Sequence, residues 1–547
     1  MNNFKKQHHS PLINALRKAF FIAKKSQEAG SAPTDDLVEG FVQSKIQRRQ
    51  FISGIVKTGV VISTAGLLSA CEKVADFVPV DQDGAGVLAG SKKNQPKIVI
   101  IGAGMAGLNC AYQLKKAGYT AAIYEGSKRV GGRIFTESNV LAPDLYTELG
   151  GEFIDSDHTD MLQLCNEFGL SLLDTKSEVD AELARDSFYI DGRFYSENEV
   201  IKAFLPYASR IDADISSLPD EITYDSYDQN SKRFDNMSIK GYLDSIRMSG
   251  FIRKGIETAY LTEYGLDTDI QSAINFLYLF NPDTSNGFEI FGSSDERYKI
   301  KGGNQSITNK LYEQVKDQVY MENILIKVKQ TIAGYTLYFT NGTNTVVNVN
   351  ADIVICTIPF SVLRNIELQV ALPKWKTDAI EKLGYGTNSK LLLGFNNRVW
   401  REYGNSGYVF TNQDIQTGWD NSYAQPSKNG GFTVYQGGSE GLQLGNGTPE
   451  SQAPKFVDQL DKMWPGCKKA FNGRVKRMHW PTYPFTQGSY ACYKVGQYTS
   501  IRGSERKTVG NLHFAGEHCS LEFQGFMNGA AETGRIAAEE ILTKMNS

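Results

Sequence analysis

Little in this sequence serves disulfide, metal or nucleic-acid chemistry. The chain has 547 residues and only seven cysteines. They lie far apart, with no Cys-x-x-Cys pair and no Cys/His cluster at metal-ligand spacing, so neither a disulfide framework nor a zinc site is expected. Formal net charge is −3, which gives nucleic acid nothing to bind by charge. Heptads, internal repeats and long low-complexity tracts are missing, which excludes coiled coils and solenoids. No apolar run is pure enough for a membrane span: Phe51 to Ala70 is interrupted by Lys57 and by several Gly and Ser. What remains is an ordinary soluble composition, 41% hydrophobic and 22% charged. At this length two or three domain-sized units are expected, with a core that needs no staples.

The most informative stretch begins at Lys97-Ile98-Val99-Ile100-Ile101. Four apolar, β-branched residues in a row read as a buried parallel strand. The strand runs into Gly102-Ala103-Gly104-Met105-Ala106-Gly107, and a helical pattern follows until Gly118. A second strand ends at Glu125. This is a dinucleotide-binding βαβ unit in full context. Gly102 permits the tight turn, Gly104 lets backbone approach a pyrophosphate, and Gly107 lets helix and strand pack closely. The free amides where the helix opens, at Met105 and Ala106, supply a positive dipole end for phosphate. Glu125 can accept hydrogen bonds from ribose hydroxyls.

The residues that follow choose among dinucleotides. Val130-Gly131-Gly132-Arg133 comes just after Glu125, where a nicotinamide domain would go on to another βα repeat. Gly132 lets the chain pass close to a ligand, and Arg133 offers a planar fork of donors to phosphate. Together with Glu148-Leu149-Gly150-Gly151-Glu152, Ile300-Lys301-Gly302-Gly303, Thr357-Ile358-Pro359, Ala515-Gly516-Glu517 and Gly525-Phe526-Met527, this run resembles the flavin-dependent amine oxidase family. The resemblance covers about Lys97 to Leu542. It implies an α/β plus α+β fold, with a Rossmann-like FAD-binding domain interleaved with a mixed-sheet and helical substrate domain. The FAD-binding parts are then residues 97–174, 296–372 and 476–547. The substrate parts are 175–295, rich in helical aromatic patterns, and 373–475, which suggests a sheet of four to six strands with helices on one face.

The same resemblance implies the working residues. Lys390 opens an apolar strand and matches the family's lysine, which holds a water against the flavin. Tyr490 and Phe526 match the two walls of an aromatic cage over the flavin, which guides an amine by its π-faces. Gly150, Gly151 and Glu152 pass beside the ring, Trp480 and Glu517 lie near the cofactor, and Met527 opens a helix whose amides face the flavin. Ser489 stands where some members carry a cysteine thioether, so FAD is expected to be non-covalent. The reaction implied is oxidation of a monoamine or polyamine to an imine, with dioxygen or another acceptor taking the electrons. The acids Glu152, Asp155, Asp157 and Asp160 would suit a polyamine, or form a solvated face. Alternatives are an L-amino-acid oxidase, which needs a cation for the substrate carboxylate, a desaturase or isomerase of an apolar substrate, and a flavin-bearing binding protein.

Residues 1–71 form a separate expectation. Arg48-Arg49 ahead of the weakly apolar stretch points to the twin-arginine route in bacteria. Leu68-Ser69-Ala70-Cys71 resembles a lipoprotein box, with Cys71 lipidated and the enzyme held on a membrane face outside the cytoplasm. The alternative is plain export with a cut near Ala70. Residues 72–96, rich in Gly, Asp, Lys and Ser, read as a tether.

Overall fold

The computed structural model describes residues 95–175, 183, 187–278, 296–341 and 345–546. Arg48, Arg49, Cys71 and all but the end of the tether lie outside the described residues.

Five parallel strands make the central sheet, in the order Leu512–Phe514, Ile353–Cys356, Ile98–Ile101, Ala121–Tyr124, Val319–Tyr320. The middle strand is buried along its whole length, as its unbroken apolar sequence requires. The five strands come from three stretches of chain, 98–124, 319–356 and 512–514, so the sheet is assembled from separated parts of the molecule. The helices Met105–Lys116 and Met527–Asn546 pack together closely enough that a Cβ on Gly534 would sit 2.3 Å from the Ala106 carbonyl. Leu108, Leu114, Ile123, Ile355 and Ile541 join them in one core. A four-stranded sheet, Val346–Ala351, Gly334–Thr340, Ile324–Thr331 and Glu367–Gln369, lies in the middle stretch.

The second large sheet has seven strands: Phe471–His479, Ser389–Phe395, Gly430–Gln436, Thr417–Asp420, Val409–Thr411, Ser187–Ile190 and Arg193–Tyr195. Five of the strands begin in the stretch 373–475, within the four to six expected there, and two more come from the earlier, mainly helical stretch. Strand alternation then fixes which face does what. Leu391, Leu393 and Phe395 pack with Phe456, Leu460 and Met463 of the helix Pro449–Met463. Leu392, on the opposite face, packs with Leu141, Leu149, Met478 and Trp480. Lys390 shares that second face, which is turned toward the nucleotide-binding part. The helix Gly250–Tyr264 ends at Gly265, whose φ of 74° is the left-handed stop that favours glycine. A Cβ there would lie 1.8 Å from Asn388 Oδ1, so the helix end is held against the turn that precedes the lysine strand.

Candidate active site

One long cleft runs from Gly102, Gly104 and Glu125, past Arg133 and Glu517, to Lys390, Trp419, Tyr435, Tyr490 and Phe526. Met105, Ala106, Gly132, Gly150, Gly151, Glu152, Trp480 and Met527 also line it. The structure therefore brings all the expected site residues except Gly107 to one cavity wall. Gly107 lies behind the turn: a Cβ there would stand 2.0 Å from the Gly102 carbonyl, which is why only glycine fits.

At the glycine-turn end, Gly102 adopts φ 103° and its amide donates to the Tyr124 carbonyl (2.8 Å). Glu125 Oε2 accepts from the Ala103 amide (2.7 Å) and Oε1 from the Ser127 amide (2.8 Å). The acid thus ties the phosphate turn to the segment that follows it, and each oxygen keeps acceptor capacity toward a ribose. Gly104 and Gly132 face each other; a Cβ on Gly132 would meet Gly104 Cα at 3.3 Å.

In the middle of the cleft, Arg133 Nη1 donates to Glu517 Oε1 (2.8 Å) and to the Ser489 carbonyl (2.7 Å). Glu517 also accepts from the Gly525 amide (2.7 Å) and the Ala491 amide (3.3 Å). This one buried carboxylate fastens three chain segments around the cleft. Trp480 Nε1 donates to the Leu149 carbonyl (3.2 Å), and its ring lies 3.2 Å from where a Gly150 Cβ would be. A Cβ on Gly151 would collide with Met527 Cγ at 2.8 Å. The Gly150-Gly151 pair thus lets backbone pass close against Trp480 and Met527. Ser489 Oγ donates to Asn388 Oδ1 (2.7 Å), and the Cys492 thiol is buried, its pKa raised by that burial.

The far end is built from cross-strand neighbours. Lys390 lies opposite Tyr435, and Tyr435 opposite Thr417, in antiparallel register. Opposed residues share a face, so this row projects into the cleft together, with Trp419 two residues along from Thr417. Tyr490 enters from a separate loop, whose carbonyl accepts from the Gly386 amide (2.8 Å). Its hydroxyl donates to the Glu263 carbonyl (2.6 Å) at the end of the Gly250–Tyr264 helix. The Tyr435 hydroxyl lies 3.0 Å from that of Tyr490; with the Tyr490 proton committed, Tyr435 is the donor. Burial, with the nearby Tyr435 and Glu263, keeps the Tyr490 hydroxyl well above the usual phenol range and therefore neutral. Phe526 lines the same end, packed on His158 with ring centroids 4.8 Å apart.

Lys390 has partners other than those expected. Its Nζ donates to the Glu148 carbonyl (3.1 Å), the Gly150 carbonyl (2.9 Å) and Glu152 Oε2 (2.8 Å). Lys299 Nζ reaches the other oxygen of the same carboxylate, Glu152 Oε1, at 2.9 Å. Glu152, expected as a flavin neighbour, is thus chiefly the partner of two buried lysines. Burial works against its charge, but Lys299 and Lys390 hold its carboxyl down at about 2. Burial works to strip Lys299 of its proton, yet Glu152 and Glu148 hold it above the usual lysine range. Glu148, fully buried, is pushed up to about 7 by that burial, with Lys299 pulling the other way. Two of the remaining acids of this stretch are engaged by protein partners. Asp155 accepts from the Glu296 amide (2.8 Å), and Asp160 is forked by Arg535 at 2.6 and 3.1 Å.

Lys299, Trp419 and Tyr435 were not legible as site residues in the sequence. Lys299 carries a weak signal, a charge between apolar neighbours just before Gly302-Gly303. The two aromatics carry none, because their place depends on strand register.

A turn with a helix N-terminus over an acid, an arginine midway, and a broad aromatic end beside a lysine define a site for FAD. The glycine cradles at Gly104, Gly132 and Gly151 are the places where side chains would obstruct it. Fold and site together are those of an FAD-dependent oxidoreductase. The chain belongs to the family of flavin containing amine oxidoreductases, which residues 105–542 match. It acts on amines, as the family does. A probable flavin-containing monoamine oxidase A of Dictyostelium discoideum is 23% identical over 458 residues, covering 82% of this chain and 98% of the relative. An L-amino-acid oxidase of Gloydius halys is also 23% identical, covering 82% of this chain and 89% of the relative. Cyclohexylamine oxidase from Brevibacterium oxydans superposes with a TM-score of 0.71 at 20% identity, over 83% of this chain and all of that one, a likeness of fold.

Proposed function

We propose that the protein oxidises a monoamine with an apolar body to the imine, which water then hydrolyses to the aldehyde or ketone with release of ammonia. Bound FAD supplies the two-electron acceptor, and dioxygen reoxidises it to give hydrogen peroxide. The observation that carries this reading is the make-up of the far end of the cleft. Tyr435, Tyr490, Trp419 and Phe526 surround it, with Lys390 at its base. Aromatic faces attract and orient an amine, and their bulk excludes water. Lys390 fixes the Gly150-Gly151 passage through its bonds to backbone carbonyls, so the ring-binding edge is rigid.

The polyamine reading is the weaker one, because Glu152, Asp155 and Asp160 are engaged by protein partners. An L-amino-acid oxidase needs a cation for the substrate carboxylate. Among the described lining residues the arginines are Arg129 and Arg133, both nearer the cofactor end, where Arg129 bonds the Val130 and Ile134 carbonyls and Arg133 bonds Glu517. Ser489 in place of a cysteine favours non-covalent FAD. The twin arginines and Leu-Ser-Ala-Cys favour export and lipid attachment at Cys71, with the catalytic domains in water outside the cytoplasm.

A peroxide-release screen over monoamines, diamines, polyamines and L-amino acids tests the assignment. Fastest release with arylalkyl or cycloalkyl monoamines is expected. Release with L-amino acids alone would move the chain to the rival activity.

A further inference from the structure

A single carboxylate spans two buried ammonium groups at the heart of this molecule. Glu152 and the Lys299 and Lys390 side chains are each no more than 5% exposed. Lys390 spends all three of its protons on protein: two on carbonyls and one on Glu152. Lys299 has Glu152 and, at 3.4 Å, the Asn421 carbonyl. The three residues come from three elements: the turn after Tyr146–Glu148, the strand Tyr298–Ile300 and the strand Ser389–Phe395. Glu148, raised to about 7, is the other acid beside the pair, so below that pH the buried cluster holds one more ammonium than carboxylate.

We propose that Glu152 is a positioning residue: shared between Lys299 and Lys390, its carboxylate holds the Lys390 ammonium at the reacting end of the cleft. The role rests on the amine-oxidase reading, since that reading places Lys390 beside the reacting centre. Lys299 completes the device by holding the far oxygen, so the carboxylate cannot swing away from Lys390. Other titratable groups face this cluster. Glu148 and Tyr146 stand on one side, and Tyr435 stands on the other with Tyr490 hydrogen-bonded beyond it. Glu263 and Glu296 act on Tyr435 from farther away. Rings of Trp419 and Phe153 complete the enclosure, 5.2 Å from Lys390 Nζ and 5.7 Å from Lys299 Nζ.

The test uses the FAD-loaded protein and the absorbance of bound FAD from about pH 8 to about pH 10, clear of the free-carboxylate range. Wild type is expected to show no step there. Glu152→Gln keeps the shape and removes the one carboxylate that both ammonium groups touch, so a step is expected where the pair gives up one proton. In the E152Q/K299M double variant the like charge is gone, and the step should move up by about one unit. Lys299→Met alone keeps the carboxylate and should show no step. If E152Q does not accumulate, Glu152→Met, which also takes the carboxylate away and leaves both ammonium groups, carries the same expectation as E152Q. A flat E152Q titration, a step that the double variant leaves in place, or a step in Lys299→Met would each overturn the proposal. Wild-type FAD that no amine reduces would overturn the amine reading instead, a separate readout from the titration.

Discussion

At the scale of single residues, the buried carboxyls divide by sign. Glu152 sits low, at about 2, because two lysines hold it; Glu148 sits high, at about 7, because it is buried with weaker compensation. The consequences for stability are opposite. A carboxyl raised in the folded state gives its full stability below its free pKa and loses it as pH rises through the folded value. For Glu148 that window runs from 4.5 to about 7. For Glu152 stability is present above 4.5 and is lost as pH falls toward about 2. Glu148→Gln is therefore expected to gain on wild type between pH 5 and pH 8, by up to about 3 kcal/mol. Calorimetric melting at several pH values checks it; a difference that does not change with pH would show that Glu148 ionises in the fold as it does in water.

At the scale of elements, the nucleotide turn is decided by one close approach. A Cβ on Gly107 would lie 2.0 Å from the Gly102 carbonyl, an overlap that only a shift of strand against helix can relieve. Gly107→Ala should cost several kcal/mol and greatly weaken FAD retention. Gly118→Ala is the control: its φ is 86°, with nothing within 4 Å, so only the left-handed backbone strain of about 1–2 kcal/mol is expected. Equal melting temperatures for the two variants would contradict the packing argument. This turn was legible in the sequence because every part of it lies within about 30 residues and each glycine has a local reason. Lys390 was legible through its motif, but its partners were not. Tyr435 faces it through strand register, while Glu152 comes from a turn and Lys299 from a strand of another sheet, and a sequence carries no direct mark of either. That two strands of the earlier stretch join the second sheet was missed for a related cause. Ser187–Ile190 and Arg193–Tyr195 are short and sit in a stretch dominated by helical periodicity.

At the scale of the whole molecule, the interleaving of chain segments makes cofactor and fold interdependent. Glu517, Arg133 and Ser489 join segments hundreds of residues apart around the cleft. Acid precipitation should release FAD into the supernatant, because Ser489 cannot form a thioether; flavin fluorescence retained in the pellet would contradict non-covalent binding. The address is tested on the full chain. Replacing Arg48 and Arg49 with lysine should leave active enzyme in the cytoplasm, and Cys71→Ala should abolish lipid labelling. Unchanged fractionation and labelling would remove the export and anchoring proposal without touching the enzyme assignment. The most direct test of the catalytic assignment is anaerobic titration of the purified yellow protein with a cycloalkyl or arylalkyl monoamine. Stoichiometric bleaching of the bound FAD, with the matching aldehyde or ketone formed and colour restored on admitting air, is the result expected. FAD that stays oxidised with every amine, or is bleached by L-amino acids alone, would contradict it.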